Sequence, residues 1–217
     1  MHPGIKTSEH VIIPGTTGCG KTQLAAAYLS QFPKVVKLDT KGEALTELKA
    51  GRSPWPQVHP KELTVVTKLQ DLMDNHDTPY IIYNPVFDEL QDEYYDVFYQ
   101  WAYAHKNITV WTDEVMQVLP SPHKILKGYK AILTRGRYYD VALWQLTQRP
   151  SEIPQQCIAQ ATHVFCFDLP LPGDRKKMSE VCSSPQMLNR PDGHQFWYFR
   201  SGWRSSMLGV LAPPEGR

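Results

Sequence analysis

Short apolar runs alternate along this chain with longer stretches whose apolar residues recur every three or four positions. The runs are Val11-Ile12-Ile13, Lys34 to Asp39 (KVVKLD), Glu62 to Thr67, Tyr80 to Asn84 (YIIYN), Ile108 to Thr112, Val141 to Gln148 (VALWQLTQ) and His163 to Asp168. Their length and their β-branched and aromatic content predict buried strands. Thr22 to Ser30 is rich in helix formers. Asp88 to Lys106 sets Leu90, Tyr94, Val97, Phe98 and Trp101 at helical spacing, which predicts one apolar face packed on the core. Pro122 to Arg135 and Ile153 to Ala161 predict two further helices. Residues 51 to 61 (GRSPWPQVHPK) hold three prolines and a glycine and predict a surface loop. Strand and helix in alternation predict an α/β domain around a mostly parallel central sheet. Near the end the pattern changes. Phe196 to Phe199 and Met207 to Leu211 flank a Ser201-Gly202 turn signal, so residues 190–212 predict an appended β-hairpin, and Pro213 to Arg217 a frayed tail.

The chain has 217 residues, enough for one domain (1–217) with a sizeable core. Its net charge of +1 supplies no global field to attract nucleic acid or membrane, so any DNA contact must come from local clusters or from several subunits together. The four cysteines (Cys19, Cys157, Cys166, Cys182) lack metal-type pairing, which points to reduced thiols in a cytosolic setting. The histidines are scattered, against a His-based metal site. The N-terminus lacks the apolar core of a signal peptide, and no run is long enough to span a membrane, so no membrane insertion is expected.

Chemistry enters at residues 15 to 22, GTTGCGKT. Gly15, four free positions, then Gly20-Lys21-Thr22 match a phosphate-binding loop, the Walker A pattern. The three glycines let successive backbone N–H groups of Gly15, Thr16, Thr17, Gly18, Cys19 and Gly20 turn toward one anion. Lys21 can reach the β- and γ-phosphates, and the Thr22 hydroxyl can hold Mg²⁺. The strand before and the helix after put this loop at a helix N-terminus, where phosphate is favoured.

A β-prone run, Ile108 to Thr112, ends in Asp113-Glu114. Beside a phosphate loop, Asp113 fits a Mg²⁺ ligand of the Walker B kind. Glu114 points the other way if the strand continues, free to polarise an attacking water. Gln148, at the tip of the next strand, can bond the γ-phosphate or its water, or else cap a proline turn. Arg135 and Arg137 are candidates to reach a neighbouring subunit's γ-phosphate, with Arg149 a weaker one. Lys124, Lys127 and Lys130 put positive charge along one predicted helix. Arg175-Lys176-Lys177 form a second cluster, so either could touch DNA backbone or simply face solvent.

Taken in order, these segments resemble the FtsK/HerA superfamily of DNA-pumping ATPases. The set is GTTGCGKT, Asp39-Thr40-Lys41-Gly42-Glu43 (close to the family's DPKGE), TDE at Thr112 to Glu114, RGRYYDVALWQLTQRPSEIP from Arg135 to Pro154, and ATHVFCF from Ala161 to Phe167. The likeness covers about residues 10 to 170. It implies a RecA-like P-loop NTPase fold of the ASCE type, with an added strand between the phosphate-loop strand and the acidic strand. It further implies ATP as substrate with Mg²⁺, a catalytic Glu114, a sensor Gln148, and a ring, hexamer or pentamer. Thr40 replaces the family's usual proline, and Thr109 and Thr112 make the acidic strand less apolar than usual. In size the chain is similar to the genome-packaging ATPases of tectivirus-like, internal-membrane viruses. That implies double-stranded DNA and capsid vertex proteins as partners, and action in host cytoplasm or at a virion's packaging vertex. A HerA-like plasmid or host motor, a small-molecule phosphotransferase and a non-catalytic assembly factor remain alternatives.

Overall fold

The computed structural model of the protein describes residues 4–75 and 77–212; the expected tail, 213–217, lies outside them. In chain order come β1 (Val11–Pro14), α1 (Lys21–Leu29), β2 (Val35–Leu38), α2 (Glu43–Lys49), β3 (Leu63–Val66), α3 (Leu69–Asp74) and β4 (Tyr80–Tyr83). Next are α4 (Asp92–His105), β5 (Ile108–Thr112), α5 (Val115–Val118), α6 (Lys127–Arg135) and β6 (Val141–Thr147). The chain then forms α7 (Gln155–Ala159), β7 (His163–Cys166), α8 (Pro172–Val181), β8 (Gln195–Arg200) and β9 (Met207–Val210).

The strands form one sheet in the order β3-β4-β2-β5-β6-β1-β7-β8-β9. All pairs from β3 to β7 are parallel, and β8 and β9 close the edge antiparallel. The expected hairpin therefore exists, but β8 pairs directly with β7 and extends the main sheet. β6 lies between β1 and β5, as the resemblance implies. Pro14 is level with Thr147, and Thr112 with both Gln145 and Leu38. The carboxyl ends of β1, β6, β5 and β2 thus lie along one line.

Period-two side-chain alternation splits the central strands between two cores. Val11 and Ile13 pack with α1, Trp55, Val58 and Phe196 on one face, whereas Ile12 packs with α4, α6, α7 and α8 on the other. Both faces are covered, so these strands read as continuous apolar runs. The threonines of β5 are buried but satisfied: Thr112 Oγ1 lies 2.8 Å from the Tyr99 hydroxyl, and Thr109 Oγ1 donates to the Thr7 carbonyl at 3.5 Å.

Four expectations need correction. The core face of α4 is Tyr95, Phe98, Tyr99 and Ala102, while Leu90, Tyr94 and Val97 are 39%, 37% and 43% exposed. Two apolar stripes overlap on this tyrosine-rich helix, and the approach of α6 selects between them. Gly128 sits so close that a side-chain carbon there would come within 2.6 Å of Gln100 N and 2.8 Å of Asp96 O. Its own N–H donates to Asp96 Oδ1 at 2.7 Å. Second, α6 begins at Lys127 rather than Pro122. Lys124 precedes it and is paired with Asp92, so only Lys127 and Lys130 share its exposed face. Third, Arg175 and Lys177 spend their cations on the carbonyls of Leu169, Pro170, Ser151 and Ile153, leaving Lys176 outward beside Glu180.

Fourth, residues 51 to 61 are not simply surface loop. Trp55 is 1% exposed, donates Nε1–H to the Ala26 carbonyl of α1 at 3.1 Å, and meets Tyr80 and Trp111 edge-on at 5.3 and 5.1 Å. The prolines set the turns, and burial of the indole fixes the loop to the core. We expect Trp55→Ala to destabilise the protein by about 3–5 kcal/mol, the usual loss for a fully buried aromatic. Urea unfolding followed by circular dichroism checks this; a midpoint within error of the parent would show that the loop does not anchor the α1 face.

Candidate active site

The strand register carries three loops to one place. After β1 the chain turns sharply: Gly15 N–H donates to the Thr147 carbonyl and Thr16 N–H to the Asp168 carbonyl, both at 3.0 Å. A side-chain carbon on Gly15 would lie 2.6 Å from Phe167 Cβ and 2.8 Å from Cys19 Sγ, so only glycine fits. Gly20, with φ +107, adopts a left-handed turn directly before α1. Cys19 N–H donates to the Thr16 carbonyl at 3.5 Å, so the amides of Gly15, Thr16 and Cys19 are spent within the protein. Of the six expected to turn toward the anion, those of Thr17, Gly18 and Gly20 remain for it, with the first turn of α1.

Lys21 is buried and folds back on the loop, donating to the carbonyls of Gly15 at 2.8 Å and Thr16 at 2.7 Å. Burial holds its ammonium below the ordinary lysine range, opposed by the negative charge of Glu114 and Asp113 nearby. Burial pushes the Cys19 thiol up, so this residue of the loop packs as a neutral side chain.

The two carboxylates after β5 are almost fully buried, with side chains 1% and 4% exposed, and they diverge. Asp113 faces α1, accepting from Thr22 Oγ1 at 3.4 Å, with Lys37 Nζ 3.8 Å from its other oxygen. Glu114, extended at the start of α5, faces β6: Gln148 Nε2 donates to its Oε2 at 3.0 Å, and Lys41 Nζ lies 3.6 Å from the same atom. Gln148 Oε1 in turn accepts from Thr17 Oγ1 at 3.0 Å, which ties the tip of β6 to the phosphate loop. Asp113 Oδ2 and Glu114 Oε1 are buried without a hydrogen-bond partner. Unsatisfied buried carboxylate oxygens mark a place where a ligand completes the bonding.

These residues fit Mg²⁺. A hydroxyl and a carboxylate oxygen, Thr22 Oγ1 and Asp113 Oδ1, sit together at the loop, and this ion keeps most of its shell for water and phosphate oxygens. Among the described residues no group of three or more His, Cys, Asp and Glu forms a protein-only metal cage.

Lys21, Thr22, Asp113, Glu114 and Gln148 are therefore brought together, whereas the arginines are not. Arg135 and Arg137 lie before β6, at the amino end of the sheet. Seven residues of strand, about 20 Å, separate them from the phosphate loop of their own chain. Arg137 donates to Thr162 Oγ1 at 2.8 Å, and Arg135 is exposed at the end of α6. Arg149 is held inside the chain by Asp174 at 3.0 Å and Glu152 at 2.7 Å.

Sequence reasoning missed several residues. Lys37 and Lys41 come from β2 and the loop after it, and only sheet order shows that they face the carboxylates. Asp39 shapes that loop by accepting from the N–H groups of Lys41, Gly42 and Ala44 at 3.3, 3.1 and 2.7 Å. His194, just before β8, bonds the Cys19 carbonyl at 3.0 Å, and Leu211, just after β9, packs on Gly20.

The glycine loop opening onto a helix, the inserted β6 and the paired acids after β5 define an α/β P-loop NTPase fold. The solved structures with this fold include the genome-packaging NTPase B204 of Sulfolobus turreted icosahedral virus 2 in complex with ATPγS. It has a TM-score of 0.74 at 14% identity over 95% of this chain and 100% of that one. B204, the DNA-packaging ATPase of Sulfolobus turreted icosahedral virus, matches with TM-score 0.72 at 17% identity, over 96% of this chain and 99% of its own. The pCW3 conjugation coupling protein TcpA matches with TM-score 0.59 at 13% identity, over 93% of this chain and 59% of its own. No protein-family model matches the chain, and no curated protein does.

Replacing Gly15 by alanine drives a methyl into Phe167 Cβ, and the loop must shift to accept it. Gly15→Ala is expected to weaken ATPγS binding at least about tenfold, the effect of a loss near 1.4 kcal/mol, with the circular dichroism of the parent retained. Calorimetric titration returning the parent affinity would show that this loop is not the nucleotide cradle.

Proposed function

We propose that this chain is an ATP-hydrolysing DNA translocase that packages a viral double-stranded DNA genome into a preformed capsid. One observation carries the reading: a glycine phosphate loop and a divergent buried acid pair meet at one end of a sheet whose fold is shared with two viral packaging NTPases. The loop amides and Lys21 bind the triphosphate of ATP. Thr22 and Asp113 would hold Mg²⁺, which would offset charge on the phosphate oxygens. Glu114 orients a water and takes its proton as the water oxygen bonds the γ-phosphorus. The bond from that phosphorus to the bridging oxygen breaks, releasing ADP and phosphate. Gln148, bonded to both Thr17 and Glu114, passes the state of the γ-phosphate to β6.

Assembly into a ring, a hexamer or pentamer, supplies the missing cation. Arg135, exposed and remote from its own loop, is the better candidate to meet a neighbour's γ-phosphate; Arg137 is engaged by Thr162. Lys127 and Lys130 on α6 and Lys176 on α8 are the outward cations suited to DNA backbone, each contact weak and summed over subunits. Capsid vertex proteins are the docking partners, and the protein works in host cytoplasm and at the packaging vertex. No helix among the described residues is long and apolar enough to cross a membrane. The match to TcpA favours a second reading, a plasmid DNA motor of HerA type, which uses the same site; packaging of DNA into purified empty capsids separates the two. A phosphotransferase leaves Glu114 and Gln148 without a task.

Double-stranded DNA is expected to raise the ATPase rate, and Glu114→Gln to bind ATPγS as the parent does while losing at least about 10²-fold in turnover. Phosphate release in the presence and absence of DNA checks both, and Glu114→Gln turning over at the parental rate would remove Glu114 from the chemistry. Arg135→Ala is expected to cost about 10³-fold or more in the assembled state and to leave ATPγS affinity of the isolated subunit unchanged. Unaltered turnover in assemblies sized by light scattering would exclude it as the trans-acting cation.

A further inference from the structure

Lys41 has a place in the site that neither the phosphate loop nor the acid pair accounts for. It stands on the turn after β2, where Asp39 accepts three loop N–H bonds and Gly42 takes a left-handed φ of +75. Asp39 is itself pinned by Asn84, whose Nδ2 donates to its carbonyl at 3.0 Å. These bonds hold the turn backbone, and the lysine stem reaches from it toward the acid pair. Its Nζ lies 3.6 Å from Glu114 Oε2, with the side chain 32% exposed. On the other side, the same oxygen accepts from Gln148, which is bonded to Thr17 of the phosphate loop. Burial dominates the lowered pKa of Lys21, and the charge of Lys41 adds to it, so the two ammonium groups are within electrostatic reach. Lys21, Lys41, Glu114 and Thr17 are therefore linked, directly or through Gln148, around the phosphate loop. In a phosphate-loop site the space beyond the loop belongs to the terminal phosphate.

We propose that Lys41 is a γ-phosphate ligand of this chain's own site, and that it occupies Glu114 until the triphosphate arrives. A terminal phosphate carries roughly twice the charge of one carboxylate, so at similar distance it draws the ammonium away from Glu114. The transfer has two effects. ATP gains a charge-assisted hydrogen bond that ADP cannot make. Glu114 Oε2 loses one of its two partners, which opens a lone pair for a hydrogen bond from the attacking water. Oε2 of Glu114 is thereby occupied on both sides while ADP or no nucleotide is bound. Lys37 cannot play this part: it is 4% exposed, 3.8 Å from Asp113 and 4.4 Å from the centre of the Trp111 ring, fixed between them.

This inference rests on the ATPase reading, so the experiment measures binding as well as turnover. ATPγS and ADP affinities are measured for the parent, Lys41→Met and Lys41→Arg, with ATP hydrolysis followed in parallel. In Lys41→Met, which keeps the stem and removes the charge, the preference for ATPγS over ADP is expected to fall about ten- to hundredfold, the worth of one charge-assisted hydrogen bond. ADP affinity should stay at the parental value, so the triphosphate carries the change, and KM for ATP should rise along with any loss in kcat. Lys41→Arg should restore the preference. If Lys41→Met keeps the parental ratio of the two affinities, Lys41 does not touch the γ-phosphate, whether hydrolysis falls, rises or is unchanged. A parent that binds ATPγS better than ADP without hydrolysing ATP would overturn the ATPase reading and leave the affinity ratio to decide the role of Lys41.

Discussion

Two like charges buried side by side after β5 set the terms for the rest of the site. Removing a carboxylate from water is costly unless a cation or hydrogen-bond donors meet it, and adjacent carboxylates add mutual repulsion. Here they diverge, and each is met by a different lysine from β2 or its following turn, Lys37 for Asp113 and Lys41 for Glu114. That solution needs β2 on one side of β5 and β6 on the other, which is the order observed. The same constraint reaches into the core. Lys37 rests on Trp111, Trp111 on Trp55, and Trp55 bonds the second turn of α1, the helix that the phosphate loop opens. A loop that composition alone marks as surface thus supports the wall against which buried Lys37 and Asp113 are held.

The sheet also has two chemically distinct ends. Its carboxyl end gathers the phosphate loop, both acids, Gln148 and Lys41. Its amino end carries Arg135 and Arg137 at the entrance to β6. Neither arginine reaches the phosphate loop of its own chain. The proposed ring would join one chain's amino end to the next chain's carboxyl end, two different surfaces, so the contact would repeat head to tail. The net charge of only +1 reflects 23 lysines and arginines set against 22 acids, so one subunit has no global field with which to hold a polyanion.

Much of this was legible in the sequence because the relevant signals are local. Gly15 to Thr22 announces its own conformation, and the strands stand out as apolar runs because both faces of a parallel sheet are covered. What was not legible depends on distant partners. The rotation of α4 is set by the close pass of Gly128, a residue in another helix, and the tyrosines of α4 fit either of two faces. α2, α3 and α8 are short and mixed in polarity, so their periodicity is weak. The place of the lysines in the site escaped notice because Lys37 sits within an apolar strand run, and Lys41 stood out only as part of the segment Asp39 to Glu43. Neither position hints at an acid some seventy residues further on. Gln148, in contrast, was found because a strand tip beside a phosphate loop is a place fixed by the fold itself.

The C-terminal hairpin is more than an addition to the sheet. β8 pairs with β7, whose following residue, Phe167, packs against Gly15, and Asp168 accepts the N–H of Thr16 while its carboxylate is held by two bonds from Arg190 at 2.7 Å. His194 reaches the Cys19 carbonyl, and Leu211 covers Gly20 at the turn into α1. The loop is thus braced from behind by three separate contacts from residues 190 to 211. A glycine-rich segment gains its freedom to wrap an anion at the expense of conformational entropy. Contacts that fix it before the anion arrives lower the ordering cost of binding. The hairpin lies beyond residues 10 to 170, where the sequence motifs fall, yet it supplies that bracing. Its two strands therefore belong to the nucleotide site as much as β1 does.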